Sequence, residues 1–215
     1  MTQAAHFDKK HEKEFNQLQR KFGLSDIQIE QFKTYASMLV AWNKKFNLTA
    51  ITDISDVVAY HFADSLLLSK HVDLTKVQGL ADVGTGAGFP GLALKIAFPT
   101  LPVYLIEVNN KKIGFLTEVA EELGLSSIEF IDLDWRTFLR KTDFDIDLFT
   151  ARASLPVSEL LRVFKPSSPY KNASLIYWAA QSWRSTANEE SFVEKEIPYA
   201  IQSKRRKYVF FKPKD

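Results

Sequence analysis

The stretch Leu80-Ala81-Asp82-Val83-Gly84-Thr85-Gly86-Ala87-Gly88-Phe89-Pro90-Gly91 decides the fold. It opens as a short buried strand, passes through a glycine-rich loop, and meets Pro90, which suits the first turn of a helix running to about residue 98. Glycine at 84, 86 and 88 lets the backbone approach a ligand with no Cβ in the way. Outward from this point, strand-like runs alternate with helical patterns. Strands are expected at 103–107, 128–131, 147–151 and 175–178, and helices at about 110–123, ended by Gly124, and 155–164. That alternation implies βαβ units and a doubly wound, mostly parallel sheet. Two further strands near 196–201 and 207–212, with no helix between them, predict an antiparallel C-terminal edge.

Upstream of residue 78 the pattern is helical. A charged amphipathic stretch over 8–22 ends at Gly23, placed as a C-terminal cap. Ser25 with Gln28 is a capping-box pair for a helix over about 26–45, which lines up Ile29, Phe32, Ala36, Leu39 and Val40. Ser55 is expected to cap a third helix through Val57, Val58, His61, Phe62, Leu66 and Leu67. The chain therefore divides into an N-terminal helical cap, 1–76, and an α/β domain, 77–215, that carries the glycine loop.

Composition limits the chemistry. The 215 residues are 46% hydrophobic and 25% charged, as in an ordinary globular chain. Lys+Arg 28 against Asp+Glu 26 gives a net charge of +2, too weak to point to nucleic acid by bulk charge. Cys 0 excludes disulfides, thiolate metal sites and cysteine nucleophiles, and no metal is expected. The first residues are polar, and no run reaches the roughly 18–20 apolar residues of a membrane span. A cytoplasmic monomer is expected.

The spacing Gly84-x-Gly86-x-Gly88 departs from the dinucleotide fingerprint G-x-G-x-x-G. Glu107 ends the next strand, 25 residues after Asp82, where a ribose-binding carboxylate belongs. Asp82 beside the loop would repel a pyrophosphate but can accept hydrogen bonds from an ammonium group or an ordered water. This D-x-G-x-G-x-G pattern resembles the S-adenosylmethionine site of class I methyltransferases. With no cysteine, methylation of a pyrimidine carbon loses its usual nucleophile. Thr150-Ala151-Arg152-Ala153 stands where enzymes acting on exocyclic amines carry Asn/Asp-Pro-Pro-aromatic. A ring nitrogen such as guanine N7 needs alignment but no general base.

Five motifs occur in order: Asn47-Leu48-Thr49-Ala50-Ile51; His61-Phe62-x-Asp64-Ser65; the loop 82–91; Glu107-x3-Lys111-Lys112-x2-Phe115-Leu116; and Ala151-Arg152-Ala153. Together they resemble the RsmG (GidB) family, the bacterial 16S ribosomal RNA guanine-N7 methyltransferases. The likeness runs over about 40–155 and returns at Arg206-Lys207-Tyr208-Val209. It implies that Asp82, Gly84, Gly86 and the Phe89 backbone line the cofactor loop, with Glu107 at the ribose. Trp135 and Arg136 would lie on the adenine side, where the family has Ala-Glu. Arg152 would stand beside cofactor and target base as a catalytic residue, with Asn47, His61 and Asp64 framing the site. Arg206 and Lys207, with Lys111 and Lys112, would contact RNA. The implied partner is 16S ribosomal RNA or the small ribosomal subunit. Pro166-Ser167-Ser168-Pro169 and Trp178-Ala179-Ala180 depart from the family's Gly-Gly turn and Lys-Gly pair. Two alternatives stay open: a small-molecule methyltransferase, and an RNA-binding protein of this fold without activity.

Overall fold

In the computed structural model, which describes residues 7–214, the helices begin where the sequence supplies caps. α1 (Lys9–Phe22) starts on Asp8, which accepts from the Lys10 and His11 amides, and ends at left-handed Gly23. α2 (Asp26–Phe46) starts on the Ser25–Gln28 capping box and ends at Asn47, also left-handed with φ 48°. The third helix is composite: α3 (Ile54–Asp56), a π-helical stretch (Val57–Ala63) and α4 (Asp64–Leu66). Its cap is Asp53 rather than Ser55. The Asp53 carboxylate accepts from the Asp56 amide at 3.2 Å, while the Ser55 hydroxyl is buried without a partner. Asp53 has the extended backbone of an N-cap, and its charged oxygen is the stronger acceptor.

The α/β part follows as β1 (Leu80–Val83), α5 (Gly91–Ala97), β2 (Val103–Ile106), α6 (Asn110–Glu122), β3 (Ile128–Ile131), α7 (Trp135–Lys141), β4 (Leu148–Arg152), α8 (Val157–Leu160), β5 (Ser174–Ala180), α9 (Ala187–Glu190), β6 (Val193–Ile201) and β7 (Lys204–Phe211). The sheet order is β3-β2-β1-β4-β5-β7-β6. β1 to β5 pair in parallel, and β7 runs antiparallel to both β5 and β6. The expected parallel sheet and antiparallel edge are thus present. The short helices α7 and α9 were not expected from the pattern.

Side chains alternate across a strand, so each strand contributes to two cores. On one face Leu80, Val103, Leu105, Ile176, Trp178, Tyr208 and Phe210 pack with α1, α2, the composite third helix, α5 and α6. On the other, Ala81, Val83, Ile106, Phe149, Leu175, Val209 and Phe211 pack with α7 and α8. The N-terminal helices therefore share one hydrophobic core with the sheet. The same alternation aims Arg152 and Arg206 at the face those helices cover. Lys207 points the other way.

Candidate active site

The glycine loop is braced from below. Asp82 is fully buried; its Oδ2 accepts from Thr85 Oγ1 at 2.6 Å and the Gly91 amide at 2.8 Å, and its Oδ1 from Thr150 Oγ1 at 3.1 Å. Burial pushes its pKa up, and these hydrogen bonds oppose that push. Asp82 therefore does not present its carboxylate to an ammonium group, as the sequence suggested. Its oxygens are spent on fixing the loop between β1 and α5. Glu107 closes the loop from the side, accepting from the Gly86 amide at 3.1 Å and the Asn109 amide at 3.0 Å, with Lys112 Nζ 3.7 Å away.

Two small cavities meet at this loop. The first, about 320 Å³, is walled by Gly84, Glu107, Leu133, Trp135 and Ser154. The second, about 300 Å³, is walled by Thr49, Tyr60, His61, Gly86, Phe89, Arg152 and Arg206. They share Gly84, Lys112 and Ala153. Both sit at the carboxyl ends of the strands, where ligands of open α/β sheets bind. Larger cavities of about 650 and 700 Å³ lie elsewhere, around α8 and α9 and beside α7, and neither reaches the loop. Among the described residues no group of three or more His, Cys, Asp or Glu could hold a metal ion.

The second cavity is organised by Asp64, a fully buried carboxylate. Its Oδ2 accepts from Arg152 Nη1 at 3.0 Å and Arg206 Nη1 at 3.1 Å, and its Oδ1 accepts from Tyr199 at 2.8 Å. Trp178 Nε1 and the Tyr208 hydroxyl reach the Asp64 carbonyl at 3.5 and 3.3 Å, so Trp178, a departure from the family pattern, packs beneath this hub. Arg152 Nη1 also donates to the Tyr60 carbonyl at 3.1 Å, and its Nη2 lies 2.9 Å from His61 Nδ1. Because a guanidinium only donates, His61 Nδ1 must accept. Its Nε2 therefore carries the proton and faces Thr49 Oγ1 at 3.0 Å. Burial, then the charges of Arg152, Arg206 and Lys204, lower the His61 pKa to about 2, so the ring is neutral. It lies flat on Phe89, centroids 4.2 Å apart, with the Arg152 guanidinium 5.4 Å from the same phenyl ring.

Several expected residues stand apart. Asn47 is exposed at the α2 cap and lines neither cavity; the buried amide nearby is Asn43, whose Oδ1 accepts from the Thr49 amide. Arg136 turns away from the first cavity and makes a bidentate pair with Glu159 at 2.8 and 2.9 Å, whereas Trp135 does line that cavity. Lys207 is buried on the opposite face of the sheet, its amine held by Glu196 at 2.6 and 2.7 Å, and it has no free charge to offer RNA. The Phe89 side chain belongs to the second cavity rather than the first.

Ser154 is the residue that motif reading missed. Its buried hydroxyl has no hydrogen-bond partner and lies in the wall of the first cavity. At Gly86, φ is +64° and an added Cβ would stand over open space with only the Gly84 carbonyl near it at 3.9 Å. An orphaned donor, the loop-held Glu107, an indole wall and this open cradle suit a nucleoside-type cofactor.

A glycine loop after β1, an acid after β2 and the sheet order 3-2-1-4-5-7-6 define a class I methyltransferase, which uses S-adenosylmethionine. Solved structures agree on the fold: a mutant of MtNAS in complex with S-adenosylmethionine (TM-score 0.58, 15% identity, 96% of this chain and 80% of that one) and the METTL16 MTase domain (TM-score 0.56, 12% identity, 100% and 99%). The sequence matches the family model described as rRNA small subunit methyltransferase G over residues 28–209, and the chain belongs to that family. A Listeria monocytogenes serotype 4b protein named ribosomal RNA small subunit methyltransferase G is 38% identical over 204 residues, 89% of this chain and 86% of that protein. An Exiguobacterium protein of the same name is 50% identical over 134 residues, 61% of this chain, and that match spans 56% of the relative's length.

Proposed function

We propose that this chain methylates N7 of a guanine in 16S ribosomal RNA. The observation that carries this reading is that, among the described residues, the second cavity is lined by no free base. His61 Nδ1 holds the Arg152 proton donor, its Nε2 carries a proton, and its pKa is far below neutrality. Asp64 is saturated by two arginines and a tyrosine, and Asp82 is enclosed. An acceptor that must lose a proton to react would find no free base among the described residues of this cavity to take it. A ring nitrogen with its own lone pair needs only alignment.

Bound S-adenosylmethionine would supply the methyl group from the first cavity, held by Gly84, Glu107, Trp135 and Ser154. Methylation at N7 leaves positive charge on the guanine, so a neutral His61 adds no repulsion where an imidazolium would. Asp64 offsets one of the two guanidinium charges in the same wall. With one net positive charge left, Arg152 and Arg206 suit a phosphate or the base's O6. Division into a helical cap, 1–76, and a catalytic domain, 77–215, completes the proposal, the cap supplying Thr49, His61 and Asp64.

The reading is tested with purified protein, methyl-labelled S-adenosylmethionine and small ribosomal subunits from cells lacking this protein. Label in 7-methylguanosine supports it. Label in a different nucleoside, or transfer only to small metabolites, overturns it.

A further inference from the structure

Among the described residues only three large apolar side chains are strongly exposed: Ile27, Phe46 and Val108. Two of the three flank the site. Val108 directly follows Glu107 and lines the first cavity, and Phe46 ends α2 two residues before Leu48 and three before Thr49, both in the second cavity. Phe46 is 40% exposed, yet its ring is supported from behind. It packs on Trp42 at 5.0 Å between centroids, and Trp42 packs in turn on buried Phe115 at 5.6 Å. The Lys111 Nζ lies over the ring, 5.5 Å from its centroid.

The charge shown over this ring is basic. Lys44 and Lys45 occupy the last turn of α2 and are exposed. Lys111 and Lys112 open α6, where Asn109 caps their amides. The acid in contact with this lip, Glu107, is buried, bonded to Gly86 and Asn109, and 3.7 Å from the Lys112 amine, which leaves Lys111 and the exposed Lys44 and Lys45 as the lysines turned to solvent. An exposed, buttressed aromatic with a lysine amine over its ring and further exposed lysines on the same helix end is an arrangement that binds single-stranded nucleic acid: the ring stacks a base and the amines take the phosphates. It suits neither an apolar partner, which the lysines would oppose, nor a folded duplex, whose bases are already stacked.

We infer that Phe46 is a stacking platform for an unpaired base next to the target nucleotide, with Lys111 and its neighbours on the adjoining phosphates. This rests on the reading of RNA as the substrate and deepens it: the RNA must present at least two unstacked bases in a loop or bulge, one in the second cavity and one on Phe46. When a base arrives, the Lys111 amine leaves the ring for the backbone.

The test compares Phe46→Ala, Phe46→Leu and Phe46→Trp in the full chain, with small subunits lacking the modification as substrate. Loss of a stacked base raises the KM for subunits by about fivefold to a hundredfold. That rise is expected in both Ala and Leu, with kcat and the Kd for S-adenosylmethionine within about twofold of the parent. The Trp variant should behave as the parent does. Because Phe46 is half out of the core, all three should keep the parent's melting temperature to within a few degrees. A Leu variant equal to the parent overturns the stacking role, since Leu keeps the apolar volume and loses the ring. If the parent transfers nothing to the subunits, the RNA reading fails and this inference fails with it; transfer by the parent with equal KM in all variants removes only the platform.

Discussion

Replacing Asp64 by asparagine probes the hub of the site. The change keeps the shape but removes the charge. Arg152 and Arg206, 10% and 23% exposed at their side chains, would share a pocket with no anion between them. The amide nitrogen that replaces one oxygen is a donor, and each partner of Asp64 at this point is also a donor. Breaking a buried pair by removing one member costs about 3–5 kcal/mol. The partial exposure of both arginines puts this case at the lower end, about 3 kcal/mol. For a chain of this length that corresponds to a fall in melting temperature of roughly 6–12 °C. The catalytic effect is separate: a guanidinium no longer held against Tyr60 and His61 should lower kcat by roughly a hundredfold. Cofactor affinity should hold, because Asp64 is buried, lines neither cavity and makes no side-chain bond to the glycine loop or Glu107. Thermal unfolding followed by circular dichroism, calorimetry with S-adenosylmethionine, and single-turnover transfer read the three quantities independently. A variant that melts within 2 °C of the parent and turns over at the parent's rate would refute the reasoning.

Three further outcomes follow from the same geometry. Gly86→Val should abolish S-adenosylmethionine binding in calorimetry, because φ of +64° disfavours any β-branched residue and a shifted backbone would lose the Gly86 amide bond that holds Glu107; an unchanged Kd contradicts it. Arg152→Ala should lower transfer by at least about a hundredfold with the fold intact, since Asp64 keeps Arg206 and Tyr199; parent-like turnover would remove Arg152 from the site's work. His61 is neutral in the folded protein, with a pKa of about 2, and titrates near 6.5 when unfolded. The unfolded chain therefore binds the extra proton below pH 6.5, and stability falls as pH drops through that window. From pH 7 to pH 5 this group alone costs about 2 kcal/mol, a loss that denaturant titration should find missing in His61→Asn. The rate of transfer, by contrast, should show no step from His61 between pH 6 and 8.

What the sequence revealed was mostly local. The capping pair Ser25–Gln28, left-handed Gly23 and the loop 84–91 are each fixed by residues a few positions apart, so pattern and chemistry suffice to find them. The mostly parallel sheet and its antiparallel edge followed from the rhythm of strands and helices, while the strand order did not. The misreadings are matters of burial and of long-range partners. Asp82 looked like a ligand contact because its position in the motif is visible and its burial is not. Arg136 is claimed by Glu159, 23 residues on, and Lys207 faces away from Arg206 because neighbouring strand residues point to opposite faces. The Asp64 hub joins residues 88, 135 and 142 positions apart, a meeting that no local spacing announces. The seven-residue α7 is too short for a helical period to stand out, though Asp134 at its cap, accepting from the Thr137 amide, was a usable signal.

The central claim is methyl transfer to guanine N7 in 16S ribosomal RNA, and nucleoside mass spectrometry of that RNA tests it most directly. RNA from cells lacking this protein should have lost one 7-methylguanosine, restored by the parent gene and not by the Arg152→Ala form. Full retention of 7-methylguanosine in the absence of the protein would contradict the account.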